Sequence, residues 1–222
     1  MALAAVTGLA AEARILQRRG IEAVATGGDP ERTAAAVERI LATAASLMSF
    51  GIAGALAPGL APGTLLLPRR VVSEGTAITV DEAWRGRVDE ALRALGLRPV
   101  ADDILGATAI IAAPEEKARL HRRTGAVAVD LESHIAAVAA QRLSRPFMVL
   151  RAVADPAGFA LPPAAAVGLD AAGRAALLPV LGSILRDPAQ VPALLRLARH
   201  TRRALAALTQ AAAALSWPGG EG

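Results

Sequence analysis

Short apolar runs alternate along this chain with amphipathic stretches of helical period, and that alternation limits the folds open to it. Runs too short to be helices, each followed by a helical pattern, argue for a largely parallel or mixed twisted β-sheet flanked by helices. The candidate strands are residues 3–7, 21–26, 46–50, 64–73, 99–104, 107–112, 126–131 and 147–153. Helical spacing predicts helices over 10–19, 30–45, 81–95, 115–124, 132–143 and 173–186. Asp29 stands at an N-cap with Pro30 in the first turn, Asp81 can cap the next helix, and Gly96 closes it. A chain of 222 residues in this pattern is most simply one α/β domain, or else two small ones. No internal repeat and no sharp boundary divides it, so the expectation is a single domain over 1–222. A C-terminal helical extension is expected over about 187–217.

Hydrophobic residues make up 54% of the chain but aromatics only 2%, so the core must be built from Ala, Leu, Val and Ile. A net charge of +4 is mild, and no interleaving of basic and aromatic residues points to nucleic acid. Every basic residue except Lys117 is Arg, a bias that fits a GC-rich coding sequence. The absence of cysteine excludes disulfides, thiolate metal sites and a cysteine nucleophile, and fits a cytoplasmic protein. The first 20 residues carry no basic n-region, so they do not read as a signal peptide. No uncharged apolar run approaches the roughly 18–20 residues that a membrane span needs.

Chemistry gathers at several expected strand ends. "AVAVDLESH" (126–134) places Asp130, Glu132 and His134 at alternate positions. On a strand these three would share one side, as a metal cluster needs; on a helix they would diverge. "MSFGIAGALAPGLAPG" (48–63) carries Gly51, Gly54, Gly59 and Gly63 just past an apolar run, where backbone can approach a ligand or turn. The spacing is not that of a dinucleotide fingerprint. "VATGGDPER" (24–32) sets Gly27 and Gly28 before a helix N-terminus, which reads either as an anion site or as an ordinary tight turn. "PFMVLRAVADPAG" (146–158) runs a strand out to Asp155. That residue is either a turn former or a carboxyl whose burial would let it keep a proton at neutral pH. Residues 155–172 read as a long loop of the functional kind. Arg196, Arg199, Arg202 and Arg203 then cluster among leucines at helical spacing. They read as a solvated basic face or as an amphipathic helix that touches anionic membrane.

"SFGIAGAL…LAPGTLLLP", "VAVDLES" and "LRAVADPAG", in this order, resemble the nucleoside phosphorylase/nucleosidase superfamily, with a likeness from residue 4 to about 155. Within it, the adenosine-cleaving nucleosidases align best. "GLAAEARIL", "GGDPERTAAA" and "SFGIAGAL" look most like the hopanoid-associated phosphorylase group. The resemblance implies a three-layer αβα fold and N-glycosidic cleavage of a 5′-modified adenosine, most simply adenosylhopane, with release of adenine. It implies no cofactor beyond inorganic phosphate as a possible co-substrate. It further implies a small nucleoside with an apolar 5′ group as ligand, homo-oligomers, and a cytoplasmic protein able to meet the inner membrane peripherally.

The same resemblance assigns residues. Asp155 matches the acid at purine N7, and Glu12 the water-activating carboxylate. Glu132 matches the acid on the ribose diol, and Leu131 the residue against the sugar. Ala109 and Ile110 fall on the adenine-binding strand, while Ile52, Ala53 and Gly54 line the ribose. Asp130 and His134 become structural, and Gly28 with Arg32 is the candidate phosphate site. Three departures stand out: Ala109 replaces a stacking aromatic, and Ile52 and Ala154 each replace a serine. They make the pocket more apolar, which suits a greasy 5′ substituent. The alternatives are a methylthioadenosine/S-adenosylhomocysteine nucleosidase or, from another class, a non-catalytic nucleoside-binding or membrane-associated scaffold.

Overall fold

The computed structural model describes residues 3–73, 75–166, 173, 182–183 and 185–215. Among the described residues nine strands form one mixed sheet: β1 (Leu3–Thr7), β2 (Glu22–Ala25), β3 (Ser46–Ala55), β4 (Leu65–Leu66), β5 (Arg70–Ser73), β6 (Thr76–Thr79), β7 (Ile104–Gly106), β8 (Ala128–Asp130) and β9 (Phe147–Asp155). The helices are α1 (Ala10–Gln17), α2 (Pro30–Leu41), α3 (Glu82–Ala94), α4 (Pro114–Thr124), α5 (Ser133–Arg142), α6 (Pro163–Ala166) and α7 (Val191–Ala211). Among the described residues, none of them is long and apolar enough to cross a membrane.

β3 is the hub of the sheet. It runs parallel to β1 through 46–49 and parallel to β9 from Leu47↔Phe147 to Gly54↔Asp155, with a bulge at Ala53/Gly54. Its last two residues turn to pair antiparallel with β8, which leads through β7 to the β5–β6 hairpin. Side-chain alternation along β3 and β9 builds two cores. Leu47, Phe147, Val149 and Val153 pack under α2 and α5 with Val37, Ile40, Ala136 and Ala140. Met48, Phe50, Met148, Leu150 and Ala152 pack with Ala13 and Leu16 of α1, Trp84 and Val88 of α3, and Ala204 and Leu208 of α7. With so few aromatics, alanines on both sides let helices lie close to the sheet.

The caps behave as their residue types require. Asp29 accepts from the Arg32 N–H and Asp81 from the Trp84 N–H, each at 2.8 Å.

Several boundaries differ from expectation. The single strand expected over 64–73 is broken at Pro68, which has no N–H for a ladder, into β4 on β9 and β5 on β7. The strands expected over 99–104 and 107–112 are replaced by the short β7 between them. Val100 makes only an isolated bridge to Leu66, and the chain leaves the sheet after Ala107, whose N–H donates to the Asp130 carbonyl. β8 ends at that same Asp130, so the β-prone "ATAIIA" has no partner strand, and context overrides propensity. β3 continues through Gly51 and Gly54 rather than turning there. β6 was not anticipated at all. The loop expected over 155–172 includes α6, and its 167–172 portion lies outside the described residues, as does most of the helix expected over 173–186.

Gly106 ties the second arm of the sheet to α5, because a Cβ placed there would collide with the Cβ of His134. Gly106→Ala should therefore destabilise the protein by about 1–3 kcal/mol, the usual range for overpacking, read as a lower urea midpoint at unchanged m-value.

Candidate active site

The C-terminal ends of β1, β8 and β9, together with the centre of β3, bring three acids to one edge of the sheet, where open α/β sheets take their ligands. Glu12 stands in the first turn of α1. Its Oε2 accepts from the Leu9 N–H (2.7 Å), as the acid of a capping box does, and its Oε1 accepts from the Ile52 N–H (2.8 Å). Glu132 follows β8 and precedes α5. Its Oε2 accepts from Nη2 of Arg151 at 2.9 Å, while Oε1 lies against Gly8.

Arg151 holds this cluster together. It sits in mid-β9, fully buried, and its Nε lies 2.6 Å from Asp130 Oδ2, an ionic contact rather than a linear hydrogen bond. Nη2 also donates to Ser49 Oγ (2.6 Å), and Nη1 to the Ile52 carbonyl (3.3 Å). Asp130 serves two masters: it pairs with Arg151 and accepts from the Ser133 N–H (3.0 Å) and hydroxyl at the start of α5. A buried charge needs this degree of pairing.

Glycines make the close approaches possible. Gly51 faces Arg151 across the β3–β9 ladder, and a Cβ there would lie 2.6 Å from Glu12 Oε2 and 2.7 Å from Arg151 Nη1. A Cβ on Gly8 would come within 2.8 Å of Glu132 Oε1, and one on Gly28 within 2.8 Å of Leu131 Cδ1. Gly27 donates to the Gly8 carbonyl (2.9 Å), so the β2–α2 turn is fastened beside the acids.

Burial pushes the Glu12 carboxyl up to about 7, against the pull of Arg151, with the neighbouring Glu132 adding to the rise. Burial raises Glu132 as well; Arg151 opposes the rise and Asp130 reinforces it. Burial works against the charge on Arg151, but Asp130, Glu132 and Glu12 outweigh it and keep the guanidinium charged.

Asp155 ends β9, its carboxylate lying on Gly54, where a Cβ would sit 3.0 Å from Oδ2. Its Oδ2 accepts from Nζ of Lys117 at 2.5 Å. Burial raises its pKa, and Lys117 pulls it back through charge and hydrogen bond. Three acids are thus displaced upward in different surroundings, the pattern that separates a base from an acid in one site.

The candidates from sequence distribute unevenly. Glu12, Glu132, Ile52 and Gly54 lie within this assembly, Ala53 is buried beside them, and Leu131 and Gly28 touch each other at its edge. Ala109 and Ile110 are not on a strand: both lie in the β7–α4 loop, with Ile110 42% exposed. Arg32 is exposed in the first turn of α2. Asp130, Glu132 and His134 do not share a strand face, because β8 stops at Asp130 and α5 starts at Ser133. Among the described residues no three His, Asp or Glu side chains converge to hold a metal.

Sequence reasoning missed Arg151, Ser49, Ser133 and Lys117. Arg151 carried a signal, a lone charge inside the apolar run "FMVLRAVA", which demands buried partners. Lys117 carried another, since it shares the apolar stripe of α4 with Leu120 at i, i+3.

A mixed sheet covered by helices on both faces is shared with several solved nucleosidases. The structure superposes on the 5′-methylthioadenosine/S-adenosylhomocysteine nucleosidase of Neisseria meningitidis in complex with methylthio-immucillin-A. The TM-score is 0.72 at 15% identity, over 96% of this chain and 97% of that one. It also superposes on the native futalosine hydrolase of Helicobacter pylori (TM-score 0.69, 12% identity, 97% and 98% covered). The S-adenosylhomocysteine nucleosidase of Streptococcus pyogenes with 5-methylthiotubericidin gives 0.69 at 14% identity, with 95% of each chain covered. No curated protein sequence matches significantly. The Phosphorylase superfamily matches residues 6–177, and the chain belongs to it.

Arg151→Met should strand Asp130 and Glu132 as unpaired buried acids. The expected cost is about 3–5 kcal/mol of folding free energy, measured by urea denaturation at pH 7.

Proposed function

We propose that this enzyme hydrolyses the N-glycosidic bond of a 5′-modified adenosine, releasing adenine. The observation that carries the reading is the coexistence of Glu12, with its pKa near neutrality, and the buried Asp155 at one sheet edge. Cleavage builds positive charge on the ribose and negative charge on the departing base. Asp155 protonates N7 as the C1′–N9 bond breaks. Water attacks C1′ and gives its proton to Glu12, and Glu132 holds the ribose diol beside the developing cation.

Water is favoured over phosphate by the charges. Arg151, the cation of the cluster, is already committed to Asp130, Glu132 and Ser49, and the surrounding acids repel a dianion. Arg32, the other phosphate candidate, lies exposed on α2. The 5′ substituent we infer is apolar, as in adenosylhopane. Leu131, Ile52 and Ala53 supply apolar surface beside the acids, and the sequence resembles the hopanoid-associated group most. A second reading, a nucleosidase for methylthioadenosine and S-adenosylhomocysteine, is favoured by the fold neighbours.

The test is adenine release from adenosylhopane and from methylthioadenosine, with and without phosphate, and the mass of the sugar product. Free ribosyl product independent of phosphate supports hydrolysis; a ribose 1-phosphate sinks it. Because the base must be unprotonated, kcat/KM should rise with pH through about 7, where Glu12 loses its proton. Asp155→Asn should lower turnover by roughly 10²–10⁴-fold, since the amide cannot deliver a proton.

A membrane-borne substrate requires a way to reach the bilayer. Arg196, Arg199, Arg202 and Arg203 are exposed on α7, Leu195 is 59% exposed, and Leu185 before the helix is 82% exposed. Arg196 stacks over Phe159 (5.6 Å to the ring centroid), which joins this basic face to the loop that begins at Asp155. We propose that this face docks on anionic lipid at the mouth of the site. Each arginine near such a surface is worth about 1 kcal/mol. Co-sedimentation with anionic vesicles should be strong at low salt and weak at high salt. It should be lost when all four arginines become glutamine.

A further inference from the structure

Lys117 is the chain's single lysine, 0% exposed on the inward face of α4, while Glu115, Arg119, Arg122 and Arg123 of the same helix face solvent. An ammonium has three donors and is costly to bury unless all are used. Here all three are: Nζ donates to Asp155 Oδ2 (2.5 Å), the Phe159 carbonyl (3.0 Å) and the Pro156 carbonyl (3.2 Å). The partners are the last residue of β9 and the short segment that follows it. A helix that needed only to pack would place an apolar residue here, as it does one turn later with Leu120.

We propose that Lys117 is a positioning residue for Asp155: it grips the carboxyl by Oδ2, pins the loop 156–159 behind it, and sets the pH at which that carboxyl gives up its proton. The inference rests on the reading of Asp155 as the acid that protonates the leaving base. With Oδ2 held, the carboxyl cannot rotate, and Oδ1 is the oxygen left to meet a base. A cation at this distance also stabilises the carboxylate, so Lys117 restrains the upward push of burial. An acid that held its proton too tightly would deliver it poorly, and Lys117 corrects for that.

Other groups act on Asp155 less. From β3, Gly54 lies against it. From α7 comes His200, which burial, Arg203, Arg196 and Arg199 all hold below its usual range. His200 is therefore neutral on the alkaline side, and Lys117 is the cation that acts there.

The experiment compares the wild type with Lys117→Met, Lys117→Gln and Lys117→Arg. In Lys117→Met and Lys117→Gln the alkaline limb of kcat/KM should move upward by about 1–3 pH units, the size of effect an adjacent cation exerts on an acid. kcat should also fall, and Lys117→Arg should return the limb toward its original position. Gln offers an amide donor to the Pro156 and Phe159 carbonyls, so it keeps the comparison open if Met fails to fold. A limb that stays in place while kcat falls at every pH would mean a purely structural lysine and overturn the proposal.

A second readout needs no turnover. With ¹³C-carboxyl-labelled aspartate, the Asp155 signal is identified by its loss in Asp155→Asn. It should titrate at higher pH in Lys117→Met and Lys117→Gln than in the wild type. The same titration point in all would overturn the inference. A shifted titration in a protein that releases no adenine would instead uphold the Lys117–Asp155 coupling and count against the nucleosidase reading.

Discussion

The guanidinium of Arg151 is the interaction on which this sheet edge depends. Acids from three separate elements, α1, β8 and the turn before α5, would repel one another if gathered without a cation. Arg151 carries a charge that cannot be given up near neutrality and a planar fork of donors. Asp130 and Glu132 are bound directly, and its charge also pulls down the pKa of Glu12 against the larger push of burial. The rest of the local structure follows from making room for it. Gly51 has no side chain because the fork passes there, and Ser49 and Ser133 are small and polar because the fork ends there. The β3–β9 ladder is long because it must carry the cation into the site.

The two cations of the site are of different kinds, and the difference fits their positions. Arg151 serves acids that anchor and orient, where a permanent charge is wanted. Lys117 serves Asp155, and an ammonium is a compact point charge on a flexible stem that adapts to a carboxyl and two carbonyls at once. A lysine at position 151 would lose the fork that reaches Asp130, Glu132 and Ser49 at once.

Much of the fold was legible in the sequence because hydrophobic period and capping residues are local signals. β1, α2 and α3 begin where their residues say they should, with Asp29 and Asp81 capping as their side chains dictate. What was not legible depended on partners distant in sequence. "ATAIIA" has the composition of a strand, yet no ladder is open to it once β8 stops at Asp130. Gly51 and Gly54 look like turn residues, but they stay in the strand because side chains from Glu12, Arg151 and Asp155 occupy the space that their own would fill. The acids were legible through resemblance; the cations that make them tolerable were visible only as misplaced charges in apolar patterns. Ala109 and Ile110 were expected on a strand, and the loop they occupy owes its course to the same absent ladder.

The pairing of β3 with β9 also has a bearing on how the protein is made. Leu47 meets Phe147 and Gly51 meets Arg151, so the ladder joins segments 100 residues apart. Contacts so distant along the sequence form slowly, because loop closure must precede any gain from them. While a ribosome is still synthesising β8, Glu12 and Ser49 already exist but Arg151 does not. A nascent chain therefore carries an unneutralised carboxyl and a third strand whose β9 edge is unpaired. The site edge is incomplete until the ninth strand docks, because that strand brings both Arg151 and Asp155.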